Sequence, residues 1–144
     1  SSNNHLNFDL EVAKDQSDNN PVFYLQYAHA RIYNILKRAE TLNIINNNKV
    51  DYNFLHLSIE NEIMKKILEF PNVVAKSSTI LEPQIISNFL QDLASQFHKY
   101  YSIERIIDNK KLEQTKARLK LIAGIKIVLK NGLRILGLSC PDKM

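Results

Sequence analysis

A single cysteine, Cys140, leaves this chain without a disulfide framework, a pattern that fits a reducing compartment. The four histidines, at 5, 29, 56 and 98, form no sequence-local metal set, so no metal ligand is assigned. His29 falls near the apolar side of its helix, where a packed, hydrogen-bonded ring is expected. The three glycines, 124, 132 and 137, all lie in the last segment. No phosphate-binding glycine loop and no metallohydrolase motif can be drawn through the chain. No run approaches the roughly 18 apolar residues of a membrane span, and no basic region followed by an apolar one opens the N-terminus. Neither a membrane nor a signal segment is expected, although a chain without an initiator methionine says little about a longer protein. Acid pairs such as Glu60 and Glu62 fall on an exposed-looking helical face, which excludes an acid/base dyad there. No catalytic residue is assigned, because no complete active site is present in local sequence.

What the 144 residues do contain is enough apolar material for one domain with its own core. The pattern is organised around the stretch from Lys111 to Met144. At 100° per residue, Leu121, Ile122, Ile125, Val128, Leu129, Leu133 and Leu136 share one flank of a long helix that stops at Gly137. Lys116, Lys120, Lys126, Lys130 and Arg134 share the other flank and predict a basic ridge. Arg118 breaks the division by landing within the apolar side, where a charge is costly unless paired. It is therefore expected to be a partly buried clamp on another segment. Gly124 is expected to allow close helix approach and Gly137 to end the helix.

Charge is uneven. From Lys99 onward eleven Lys/Arg stand against four Asp/Glu, a net of +7, whereas residues 1–98 carry a net of −3. Such a division suits an anionic partner, nucleic acid first among them, or a lysine-rich solvated helix. Upstream, Asp18, Asn19 and Asn20 offer a turn or cap before Pro21, which suits the first turn of a helix. That helix buries Leu25, Ala28, Ile32, Ile35, Leu36 and Ala39, while Tyr27, Arg31, Asn34 and Arg38 share a second face. The strip suits base stacking with phosphate binding, or equally a helix–helix surface. An asparagine run at 46–48 marks a turn, and Asp51 or Asn53 is placed to cap the next helix. That second helix packs through Leu57, Ile63, Met64 and Leu68 and exposes Glu60, Glu62, Lys65 and Lys66. Pro71 interrupts or restarts the chain before a shorter helix to residue 82. Pro83 starts another helix in which Ile86, Phe89, Leu90, Leu93, Ala94, Phe97 and Tyr101 recur at helical spacing. The run Phe97 to Tyr101 puts aromatics on two faces, some inward and one accessible, and Asp108-Asn109 turns into the last helix. Five helical blocks without a strand pair predict an all-α bundle.

Three blocks carry a family resemblance. They are Pro21-Val-Phe-Tyr-Leu-Gln-Tyr-Ala-His-Ala-Arg-Ile32, then Phe70-Pro71-Asn72-Val73-Val74 with Pro83 and Phe97 to Tyr101, and last Ala117-Arg118-Leu119 through Val128 to Leu138, ending Pro141-Asp142-Lys143-Met144. In this order and spacing the chain resembles the C-terminal region of arginyl-tRNA synthetase, a class I synthetase. Most of the match is its helical anticodon-binding domain, named for an Asp-Ala-Leu-Arg motif. At Thr115-Lys116-Ala117-Arg118 the Ala-Arg part stands and the intervening Leu is absent. The resemblance implies that residues 20–144 are this domain, with 1–19 a leader or remnant of the junction with the catalytic domain. It implies a cytoplasmic protein whose partners are the anticodon stem-loop of an arginine-accepting tRNA and the catalytic domain of the same longer chain, and no membrane. It implies tRNA contacts at Tyr27, Arg31, Tyr100 or Tyr101, Lys143 and Met144. The residue chemistry adds Arg38 and the Lys126/Lys130/Arg134 ridge for phosphates. The full ligase uses ATP to attach arginine to tRNA. This piece lacks the ATP-binding signatures, needs no cofactor, and is expected to be inactive alone. The rival readings are a helical protein-interaction module and the anticodon-binding domain of another class I synthetase, methionyl-like or cysteinyl-like.

Overall fold

The computed structural model describes residues 20–44 and 49–144. The polar leader 1–19 and the asparagine run 46–48 lie outside the described residues. Helix α1 spans Pro21–Thr41, α2 Ser58–Ile80, α3 Gln84–Ile103 and α4 Leu112–Ile135, with a 3-10 turn at Tyr52–Phe54. α3 and α4 pack on each other, and α1 and α2 each pack against both of them. Among the described residues there is no strand, and no helix is long and apolar enough to cross a membrane.

Side chains set the helix ends. Asn20 caps α1 by accepting from the Val22 amide at 3.0 Å and the Phe23 amide at 3.3 Å, with Pro21 in the first turn. The Asp51 carboxylate caps the 3-10 turn through the Asn53 amide at 2.9 Å. Asp108 and Thr115 pin the turn before α4: the Thr115 hydroxyl accepts from the Asp108 amide and donates to its carbonyl, both at 2.9 Å. α4 ends in a Schellman motif. The Leu138 amide reaches the Leu133 carbonyl, the Gly137 amide reaches the Arg134 carbonyl, and Gly137 takes the positive φ of 74° that this closure requires.

The core fills from the predicted stripes. Leu25, Ala28 and Ile32 of α1, Ile63 of α2, Leu90, Leu93 and Phe97 of α3, and Ile122, Ile125, Leu129 and Leu133 of α4 are all buried. Three expectations are corrected. Pro71 does not interrupt the chain, because α2 runs unbroken through it. Pro71 is exposed, so water can take the carbonyl that loses its amide partner. Met64 and Ile67 before it and Phe70 and Val73 around it pack on the same core, and that shared docking holds the helix together. Leu68, assigned to the packing side, is 77% exposed. Glu60, assigned to solvent, is fully buried.

Glu60 is buried because it meets Arg118. The Arg118 guanidinium lies 3.2 Å from the Glu60 carboxylate and 3.2 Å from that of Glu104, and donates to the Arg105 carbonyl at 3.1 Å. The second Glu60 oxygen accepts from the Leu57 amide at 3.0 Å, where α2 begins. The Tyr100 hydroxyl donates to Glu60, and burial together with that carboxylate pushes the phenol above its ordinary pKa. One guanidinium thus ties the start of α2 and the segment after α3 to α4.

Candidate nucleic-acid interface

α1 and α3 lie side by side, and their facing edges carry a continuous aromatic and cationic strip. Phe23 stacks on Tyr27 at 6.2 Å, and Tyr27 stacks on His98 of α3 at 6.0 Å. Arg31, one turn beyond Tyr27, lies over two rings: its guanidinium carbon is 5.8 Å from the Tyr27 centroid and 4.1 Å from that of Tyr101. Tyr27 is 38% exposed and Tyr101 is 37% exposed, so each ring still presents surface to a partner. Among the described residues neither Arg31 nor Arg38 pairs with a carboxylate. A guanidinium held over aromatic rings and unpaired with a carboxylate is prepared for a phosphate.

Arg38, two turns after Arg31, is exposed and lines a groove of about 480 Å³ between the end of α1 and residues 101–109, which Tyr101 and Arg105 also line. The Arg105 side chain folds back to the Ile107 carbonyl at 3.1 Å, stiffening that wall.

The neighbouring aromatic does not belong to this surface. Tyr100, expected alongside Tyr101 as a stacking residue, has 0% exposure and spends its hydroxyl on Glu60. Adjacent positions on a helix point about 100° apart, and here Tyr100 turns into the core while Tyr101 turns out. Helical spacing puts the aromatics of this run on two faces, and Tyr101 is the accessible member of the pair.

The basic ridge of α4 stands elsewhere. The Lys126 ammonium lies 5.7 Å from the Tyr33 ring, on the flank of α1 that also carries Gln26 and His29. Lys130 and Arg134 are exposed, whereas Lys116 and Lys120 are half-buried and Lys116 pairs with Glu113 at 3.3 Å. The C-terminal tail returns to that same flank. Gln26 donates to the Ser139 carbonyl at 2.9 Å and its hydroxyl at 3.2 Å, and His29 Nδ1 faces the Pro141 carbonyl at 3.3 Å. Lys143 and Met144 are exposed beyond this contact. The candidate residues therefore form two patches on two sides of α1: Tyr27, Arg31, Arg38 and Tyr101 toward α3, and Lys126, Lys130, Arg134 and the tail toward α4.

Two local fields differ from ordinary values. Burial lowers the His29 pKa, with Lys126 and Lys130 adding to the effect against the Pro141 hydrogen bond and Asp142. Burial raises the Cys140 thiol, while Lys130, Lys126 and Arg134 pull it the other way. Sequence reasoning missed Phe23, His98 and Gln26. Phe23 and Tyr27 are four apart, a signal that was available. The His98 contact depends on how α3 meets α1, and no local spacing encodes it. Among the described residues no group of His, Cys, Asp and Glu could hold a metal ion.

Comparisons with known proteins give this geometry a relationship. The chain matches the family described as DALR anticodon binding domain over residues 25–144. It is 44% identical over its whole length to an arginine–tRNA ligase of Listeria monocytogenes serotype 4b, and 39% identical to one of Bacillus cereus. In each case it spans 26% of the relative, about a quarter of its length. A solved Campylobacter jejuni protein shares the fold with a TM-score of 0.81 at 24% identity, over 95% of this chain and 29% of that one. The arginyl-tRNA synthetase of Thermus thermophilus matches with a TM-score of 0.71 at 26% identity, over 84% of this chain and 21% of its own. The four-helix bundle and these relationships agree: the chain belongs to the DALR anticodon-binding domain family, homologous to the C-terminal domain of arginyl-tRNA synthetase.

Proposed function

We propose that this domain recognises the anticodon stem and loop of an arginine-accepting tRNA, as part of a longer ligase that attaches arginine to tRNA using ATP. The observation that carries the reading is Arg31 lying 4.1 Å over Tyr101 and 5.8 Å from Tyr27, with both rings part-exposed. Loop bases that leave their own stack need planar partners, and the phosphates between them need cations that stay put. Tyr27 and Tyr101 supply the faces, Arg31 a cation held over the rings and Arg38 a second, exposed cation on that side. Lys126, Lys130, Arg134, Lys143 and Met144 supply a second contact across α1, where Met144 packs softly against base or protein. The name of the Listeria relative adds arginine as the amino acid concerned. Activation and transfer belong to the catalytic domain of the longer protein, in the cytoplasm, and this domain alone performs neither.

Titrating a labelled anticodon stem-loop tests the reading. Tyr27→Ala should weaken binding by about 5- to 150-fold, the equivalent of roughly 1–3 kcal/mol for a lost base stack. Arg31→Ala should weaken it and flatten the salt dependence, because one fewer counterion is displaced. Both variants should keep their helical content. Equal affinity for arginine-accepting and unrelated stem-loops, or wild-type affinity in both variants, overturns it. Binding that ignores salt points instead to a helical protein-interaction surface.

A further inference from the structure

The tail from Gly137 to Met144 has no secondary structure of its own beyond the turn that ends α4, yet it is held at two points. Gln26 spends its amide donors on the Ser139 carbonyl and hydroxyl. His29 is fully buried, and its Nδ1 meets the Pro141 carbonyl. A carbonyl oxygen accepts, so Nδ1 must carry the proton in that contact, which leaves Nε2 as a bare acceptor. Nε2 is buried and meets no donor among the described residues. A fully buried imidazole with one nitrogen unused is costly unless the other nitrogen does something. What it does is hold the tail. Between the two anchors, Cys140 is half-buried against the core, and Leu138 packs there as well. The main anchors are backbone oxygens, so the grip is set by the path of the chain and not by which side chains the tail carries.

We infer that Gln26 and His29 are positioning residues: one turn of α1 latches the C-terminal tail by its carbonyls and so fixes where Lys143 and Met144 stand. The consequence for RNA rests on the anticodon reading above. The latch itself does not. A free tail would present its two end residues to a loop only at the cost of ordering the chain during binding, whereas the latched tail is ordered beforehand. Lys126 and Lys130 of α4 and Asp142 of the tail are the charged groups whose fields reach His29, so the same flank that holds the tail carries the basic ridge.

The molecule supplies its own reporter, since Cys140 is the single thiol and sits between the anchors. The rate at which a small aromatic disulfide modifies Cys140 in the native 144-residue chain measures tail release. Burial raises that thiol's pKa, so release should both uncover it and increase its thiolate fraction. Gln26→Leu and His29→Leu should each raise the rate about 3- to 10-fold, the population change that corresponds to losing one net hydrogen bond. His29→Asn, which keeps a donor near the Nδ1 position, should restore most of the wild-type rate. Glu62→Ala, an exposed change on α2, should leave it unchanged while the protein remains folded by circular dichroism. Unaltered modification rates in both leucine variants overturn the latch. The anticodon stem-loop is then titrated against the same set and against a chain ending at Pro141. Latch variants should lose affinity in the full chain and show no further loss in the shortened one. Faster modification with unchanged affinity, while Tyr27→Ala still weakens binding, refutes the positioning role and leaves the anticodon reading standing. No stem-loop binding by the wild-type chain refutes that reading and the positioning role with it, and the thiol rates alone then decide for or against the latch.

Discussion

Replacing Arg118 by alanine removes the counter-charge of a carboxylate that has nowhere to go. In the native chain the Glu60 anion holds Arg118 at 3.2 Å, the Leu57 amide at 3.0 Å and the Tyr100 hydroxyl. After Arg118→Ala two neutral donors remain and the charge is unpaired in the core. Removing one partner of such a buried pair costs about 3–5 kcal/mol. That is a large part of the roughly 5–15 kcal/mol that holds a domain folded. The Glu104 carboxylate and the Arg105 carbonyl are also released, loosening the segment that follows Tyr101. Urea unfolding followed by far-UV circular dichroism should show a midpoint shifted down with a similar slope. The decisive comparison is Arg118→Met combined with Glu60→Gln, which removes both charges and keeps most of the volume. It should be more stable than Arg118→Ala alone, because no unpaired charge remains at the fully buried Glu60 position. A loss below about 1 kcal/mol for Arg118→Ala, or a double variant whose loss is the sum of the singles, would refute the reasoning.

Gly132→Ala should destabilise by about 1–3 kcal/mol, although alanine is the better helix former by about 1 kcal/mol. The new methyl would stand 2.5 and 2.6 Å from the two methyl carbons of fully buried Leu90, whereas at Gly124 the nearest atom is the Ile67 terminal carbon at 3.2 Å. Thermal melts of the two alanine variants should therefore differ clearly, and a higher melting temperature for Gly132→Ala would contradict the packing. Burial lowers the folded-state pKa of His29, so below its ordinary value of 6.5 the unfolded chain binds the proton more readily. The stability from keeping this ring neutral is fully present above 6.5 and is lost as pH falls from there through the lowered value. Denaturation across that window should show the loss in the wild type and a smaller one in His29→Leu, and identical slopes would exclude the effect.

How much of this could be read along the chain depends on the range of the interaction. The stripe of α4, the buried face of α1, the cap at Asn20 and the stop at Gly137 follow from spacing within one or two helical turns, and the structure has them where the pattern puts them. Arg118 was visible as a charge on the wrong flank, because its place on the stripe needs no partner to be seen. Its partner was not visible: Glu60 lies 58 residues away and sits among acids and lysines that all suit a solvated face. Pro71 misled for a related reason. Its local penalty is real, but the residues on both sides of it dock on a surface that local sequence does not contain.

The same division runs through the candidate interface. By itself the sequence determined an all-α chain, a face of α1 that gathers Tyr27, Arg31 and Arg38, and a basic final third, since helical periodicity and composition are properties of neighbouring residues. The tertiary structure decided which aromatic at the end of α3 faces outward. Tyr100 and Tyr101 are indistinguishable by type, and only the packing of α2 and α4 around Glu60 turns one inward and leaves the other above Arg31. It also decided that the tail returns across 112 residues of sequence to His29, a contact made by a main-chain carbonyl that any residue could supply and no sequence pattern could announce.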